Sequence, residues 1–356
     1  MIKKIYQILS LFILVIFLSS WGGVGHGIIN KKVPESFPTT MAAFTIWSDS
    51  LSANASVADQ RKDTVKTEGI KHYIDIDNYT EFISKGRIVS TYDSIVNLHG
   101  ISTVESNGTL PWATVNMYNS LIVDFKTLKW HQAMLDASDL GHYVADGHMP
   151  LHITANFDGG STGQKGIHSR YETGMVGVYS SNLRANYTGE TDLHIISNVN
   201  KYIMDYIYFD YKYKDSVLLA DKFANSYTGG YNPGLWLKTQ YFTTMLFRNS
   251  SHSIAELIYN AWVTAGSPPF GAKVFVNGLS NTTENNISVF PNPTKGILNI
   301  VGDNILKTEV TNISGSSMGI FYDKKVDISS LSNGMYILSM YGNDGTMKRE
   351  KILLTK

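Results

Sequence analysis

"VNMYNSLIVDFKTLKWHQAMLDASDLGHYVADGHMP", residues 115–150, decides the fold of the larger part of the chain. Apolar and aromatic residues recur through it at helical intervals. It predicts one long helix or two consecutive ones, broken by Pro150, whose ring and missing N–H cannot continue a helical ladder. The end of the stretch carries His142 and Asp146. A separation of four residues puts both side chains on one face of a helix, where they can share a metal ion. His148 is two residues from Asp146 and is read as pointing elsewhere, a non-ligand. His152 follows beyond the proline.

The same periodicity extends along the chain. "NVNKYIMDYIYFDY" (198–211) and "SHSIAELIYNAWVTAG" (251–266) read as further helices. In the second, Ser253 and Glu256 fit a capping box and Gly266 a C-terminal stop. Near residue 270 the composition changes. "SNTTENN" (280–286) reads as a polar linker, and short β-type runs follow, with Gly296, Asn333-Gly334 and Asp344-Gly345 as turn signals. "YILSMYGNDGTMKREKILL" reads as a hairpin within a small β-sandwich. The expected fold class is a mainly α-helical domain followed by a small all-β sandwich.

The ends and the composition limit what the chain can be. Lys3 and Lys4 precede an apolar run, Ile8 to Leu18, that is short for a bilayer span. With small residues after it, this predicts a signal peptide over 1–20, cleaved after Ser20, and an exported protein. There is no cysteine, hence no disulfide partner, and a core must come from size and a 43% hydrophobic content. Thirty basic and thirty acidic residues cancel, so net charge makes no case for nucleic acid or anionic lipid. The expected organisation is signal peptide 1–20, helical domain 21–270, linker 271–284 and β-domain 285–356.

Metal-ligand residues recur outside the opening stretch. "GIHSRYET" (166–173) supplies His168 and Glu172, a second pair four apart, and "ASVADQRKDTVKTEGIKHYIDID" (55–77) supplies Asp59 and His72. Imidazole and carboxylate without thiolate is the donor set of hydrolytic zinc sites, though a structural site remains open. His99, His131, His194 and His252 show no such pattern and read as surface or core histidines. Cleavage after Ser20 would make Trp21 of "WGGVGHG" the first mature residue. Its amino nitrogen and carbonyl oxygen can chelate one ion in a five-membered ring, with His26 in reach across permissive glycines.

In order, these residues resemble the superfamily of single-strand-specific trinuclear zinc nucleases and bacterial zinc-dependent phospholipases C. The pattern W-x4-H, D-x12-H, H-x3-D-x5-H, H-x3-E is matched across residues 21–172. The resemblance implies three Zn2+ ions. Asp59, His72, His142 and Asp146 would hold the first. Trp21, His26 and Asp146 would hold the second, Asp146 bridging the pair, and His152, His168 and Glu172 the third. Asp59 and Asp146 would be catalytic as well as ligating, in a hydrolase of phosphodiester bonds. "VFPNPTKGILNI", "VDISSLSNGMYIL" and the terminal "KILLTK" resemble the C-terminal sorting domain read by the type IX secretion machinery of Bacteroidota. That resemblance implies passage to the cell surface or beyond, with the machinery as partner.

For the substrate, two strings point in different directions. "WGGVGHG" and "KHYIDID" resemble the nucleases, with Tyr73 placed to stack on a base and Lys62 and Asp75 to contact or order the phosphate side. "LHITANFDGGSTGQKGIHSRYET" resembles the phospholipases, yet Val24, Gln60 and Gly69 stand where their cationic head-group cage would be. The nuclease reading, on single-stranded DNA or RNA, is therefore preferred over a phospholipase C. A surface adhesin or binding module with structural zinc is the alternative of another class.

Overall fold

The computed structural model describes residues 21–272, 287–302, 305–313, 316–342 and 347–356. The expected signal peptide, most of the expected linker and the Asp344-Gly345 turn lie outside the described residues. The chain divides into two compact units, Met1–Val274 and Phe275–Lys356. Among the described residues no helix is long and apolar enough to cross a membrane.

The first unit is helical. The quoted stretch forms two helices, Leu110–Lys126 and Trp130–Gly147, packed against each other. Between them Leu128 takes a positive φ of 56°, which turns the chain between the helices. Pro111 sits in the first turn of the earlier helix, where a missing N–H leaves no hydrogen bond unmade. The later helix ends at Gly147, before Pro150, and Pro150–His152 form a short 3-10 turn. Residues 140–147 are all buried, so this end of the helix is enclosed. Tyr143 packs into one apolar cluster with Ile74, Ile76 and Ile153, while Val144 and Ala145 pack into another with Trp21, Phe125 and Phe247.

Two glycines allow close approaches that place the functional segments. The Gly22–Lys32 helix passes the Trp130–Gly147 helix at Gly141, where a Cβ would lie 2.0 Å from Asn30 Oδ1. At Gly108, with φ of 86°, a Cβ would lie 2.1 Å from the carbonyl oxygen of Tyr73. Any side chain there would displace the segment that carries His72.

One expected boundary is corrected. Ser253 and Glu256 do not start a helix, because they lie inside a 34-residue helix, Tyr231–Thr264. Its buried face continues upstream through Leu235, Trp236, Thr239, Thr243, Leu246 and Phe247 at intervals of one, three and four. The two polar side chains turn to other elements instead. The Tyr202 hydroxyl donates to Glu256 Oε2 at 2.6 Å and lies 3.1 Å from Ser253 Oγ, and the His194 N–H donates to Glu256 Oε1 at 2.9 Å. Gly266, with φ of 90°, does follow the helix end.

The second unit has two antiparallel sheets. β1 (Ser288–Phe290), β2 (Ile297–Val301) and β5 (Lys325–Asp327) form one, in the order β1-β2-β5. β3 (Ile305–Asn312), β4 (Ser317–Phe321), β6 (Gly334–Gly342) and β7 (Met347–Leu354) form the other, in the order β4-β3-β6-β7. Leu298, Ile300 and Val326 from the first share one core with Val310, Leu338, Met340 and Ile352 from the second, which makes a sandwich. β6 and β7 pair from Gly334 with Leu354 to Tyr341 with Met347, as a hairpin requires.

Candidate metal centre

The helical unit gathers its buried histidines and carboxylates into adjoining groups. Zinc bonds of about 2.0–2.1 Å in a tetrahedral shell set the ligand atoms about 3.3 Å apart. His142 Nε2 lies 2.9 Å from His72 Nδ1, 3.3 Å from Asp146 Oδ2 and 3.6 Å from Asp59 Oδ1. His72 Nδ1 lies 3.0 Å from Asp146 Oδ2 and 3.5 Å from Asp59 Oδ1. These five separations form two triangles that share the His72–His142 edge, with Asp59 at one apex and Asp146 at the other. Asp59 Oδ2 is buried without a hydrogen-bond partner, a further sign of a set suited to a cation. The ring of His142 is oriented from behind, its Nδ1 donating to the carbonyl of Ala55 at 2.7 Å.

A second set is a triangle. His152 Nε2, His168 Nε2 and Glu172 Oε2 are separated by 3.2, 3.5 and 3.1 Å. His152 Nδ1 donates to the carbonyl of His72 at 2.5 Å, tying this set to the first. Three donors suit a metal that keeps a position for water or substrate. His168 and Glu172 keep the spacing of four although Arg170–Met175 is a π-turn.

Between these sets lie His26 and Trp21. His26 Nε2 is 3.3 Å from Asp146 Oδ1, and its ring stacks on His142 with centroids 4.0 Å apart. Trp21 is fully buried, its indole donating to the carbonyl of Ala145 at 2.7 Å and lying edge-on to Phe247. Its backbone nitrogen donates to Glu172 Oε2 at 2.8 Å, and its carbonyl accepts the Gly25 N–H at 3.0 Å. Three of the groups suited to a metal ion are therefore His26–His142–Asp146, Asp59–His72–His142 and His152–His168–Glu172. A fourth, Glu190–Asp192–His252, sits at the surface.

The electrostatics agree with cation-binding chemistry. Burial pushes the Asp146 carboxyl up, but the positive His142 and His152 outweigh it and hold the group well below its usual range. Asp59, near His142 and Lys62, and Glu172, between His168 and His152, are likewise held low against burial. His142 is pushed to about 10, burial being overcome by Asp146 and Asp59. His26 is driven down to about 4 by burial and by His142, so at neutral pH its ring is a free base. Without a metal, protons carry the positive charge these carboxylates require.

A cavity of about 350 Å3 opens between the two main sets, lined by His72, His152 and His168 together with Lys62, Tyr73 and Asp75. Burial, and then Asp77, push the Asp75 carboxyl up to about 6. Lys62 is turned inward, its ammonium 2.6 Å from Asp59 Oδ1. Phe157 also lines the cavity, 45% exposed and edge-on to His168. Nothing in its spacing marked it beforehand. His148 faces away from these groups, as its offset implied, with Nδ1 2.5 Å from Asp210 Oδ2. His99 is paired with Glu81, and His194 and His252 both with Glu256.

Residues 288–355 match the family described as the secretion system C-terminal sorting domain. The chain carries that domain, which indicates type IX secretion, export to the cell surface or extracellular space, and interaction with the type IX machinery. No curated protein matches the chain by sequence. Two solved structures that do match are alpha-toxins. The one from Clostridium absonum has a TM-score of 0.46 and 11% identity, over 95% of this chain and 84% of that one. The one from an avian strain of Clostridium perfringens has a TM-score of 0.45 and 12% identity, over 91% and 87%.

Proposed function

We propose that the chain is an exported zinc-dependent phosphodiester hydrolase, with single-stranded nucleic acid as its substrate. The five separations of 2.9–3.6 Å that join Asp59 and Asp146 to the His72–His142 pair are the observation that carries this reading. On it, these four residues hold one zinc, His152, His168 and Glu172 a second, and Trp21, His26 and Asp146 a third. Zinc supplies a Lewis acid and a water whose pKa is lowered to about 7.

The chain's own groups set up the rest. Asp146 ties two ligand sets together through its two oxygens, and Asp59 of the first set pairs with Lys62, which lines the cavity. A phosphodiester entering the cavity meets His72, His152 and His168 on its walls, with Lys62 adding positive charge. Tyr73 and Phe157 offer ring faces for bases, each worth roughly 1–3 kcal/mol when stacked. The organisation that goes with this is cleavage after Ser20, a catalytic domain over 21–270, a linker over 271–284 and the sorting domain over 285–356.

A phospholipase C is the second reading, favoured by the apolar side chains of Leu151 and Phe157 in the cavity. The test compares initial rates on single-stranded DNA or RNA with those on phosphatidylcholine, with and without chelator. Chelator-sensitive cleavage of nucleic acid is expected. Lipid turnover alone replaces the substrate, and a chelator that lowers stability with no activity on either leaves a structural zinc protein.

A further inference from the structure

Behind the Asp59–His72–His142–Asp146 set, across the His72 ring from Asp146, a second group of charges joins the segments that bear these residues. Glu68 is 1% exposed and precedes His72 by one helical turn. Its Oε1 accepts from the Tyr143 hydroxyl at 2.5 Å and from Arg61 at 3.3 Å, and its Oε2 from Lys71 at 2.8 Å. Arg61 also bridges to Asp139 Oδ2 at 2.9 Å. Arg61 follows Asp59 by two residues, Tyr143 adjoins His142, and Asp139 lies on the same helix. One carboxylate thus connects the three segments that supply Asp59, His72 and His142.

His72 gives this arrangement a chemical role. Its Nδ1 faces Asp59, His142 and Asp146, so a metal taken there leaves the ring proton on Nε2. Nε2 is buried, has no closer hydrogen-bond partner, and stands 3.6 Å from Glu68 Oε1. We propose that Glu68 is a positioning residue for the metal site, fixing the His72 ring so that Nδ1 is the donor. This rests on the reading that Asp59, His72, His142 and Asp146 hold zinc. A carboxylate behind a ligating imidazole fixes its tautomer and raises its basicity, and losing such a partner weakens metal affinity about 10–100-fold.

The test uses the exported protein, stripped of metal and titrated with zinc against a chromophoric chelator. For Glu68→Gln, one zinc equivalent is expected to weaken about 10–100-fold while the others keep their affinity. The absorption of the cobalt-substituted protein changes with it, and Glu68→Asp restores part of the loss. Should Glu68→Gln fail to accumulate folded, Glu68→Asp is measured by the same criterion, with an intermediate weakening expected. A variant that binds every equivalent at wild-type affinity, or whose metal-free form merely melts earlier with affinity unchanged, overturns the role of Glu68. A wild-type protein that takes up no zinc overturns the metal-site reading itself, a result distinct from both.

Discussion

Asp146 faces His26 with one oxygen and turns the other away from it. Oδ1 lies 3.3 Å from His26 Nε2, whereas Oδ2 lies 3.0 Å from His72 and 3.3 Å from His142. A carboxylate divided in this way is suited to bridging two cations. Removing it should therefore affect two metals, and removing His26 only one. Asp146→Ala is expected to fall from three zinc equivalents to about one and His26→Ala to about two, read by elemental analysis. Losing several kcal/mol of charge stabilisation should lower kcat by at least about 10^3-fold in the first. An Asp146→Ala protein with full zinc would remove Asp146 from the site.

Trp21 provides a separate test, because its indole is locked while its nitrogen sits at a charged group. The indole hydrogen bond to Ala145 and the contact with Phe247 hold the residue whatever precedes it. The nitrogen, 2.8 Å from Glu172, is an amide while Ser20 precedes it and would become an amine on the proposed cleavage after Ser20. A protein with one extra residue before Trp21 is expected to fold normally by circular dichroism and to bind one fewer zinc. Equal zinc content and equal activity would show that the terminal amine is not a ligand.

The aromatic lining separates the two substrate readings. Tyr73→Ala and Phe157→Ala should each raise KM for single-stranded nucleic acid about 5–150-fold, the equivalent of roughly 1–3 kcal/mol of lost stacking. Neither should change turnover of a small chromogenic diester, which has no base to stack. Steady-state kinetics on both substrates reads this directly. An equal loss on both would place the two rings in packing rather than recognition.

The parts of the site that were legible in the sequence were those set by local periodicity. His142 with Asp146, and His168 with Glu172, are four apart, and that interval alone brings each pair within 3.3 Å. The β-unit followed from short runs set off by turn residues, as Gly296 just before β2 and Gly334 at the start of β6 illustrate. Glu68 could not be found like this. Its partners Arg61 and Tyr143 come from other segments, and nothing in "KTEGIKH" sets that glutamate apart. Phe157 escaped for a related reason: its place beside His168 depends on the fold of the loop between them.

The capping box misread at Ser253 and Glu256 leads to the last prediction. A Ser–x–x–Glu string is a local pattern, and four residues do not register the Leu235-to-Phe247 periodicity that extends the helix upstream. Inside the helix, Glu256 pairs with His252 at 3.6 Å and accepts from Tyr202 and from the His194 N–H, and these outweigh burial to hold its carboxyl at about 2 against an ordinary 4.5. A carboxyl whose pKa is lower folded than unfolded stabilises the fold above the unfolded value. That stability is lost as pH falls from about 4.5 towards about 2. Glu256→Gln should thus destabilise the metal-free protein by about 1–2 kcal/mol at pH 7, or about 2–4 °C in Tm per kcal/mol. The wild-type and variant curves should converge as the pH approaches 2. Working on metal-free protein keeps acid release of metal out of the comparison. A gap that stays constant from pH 7 to 2.5 would mean that the ionised carboxylate contributes nothing and that only side-chain shape was lost.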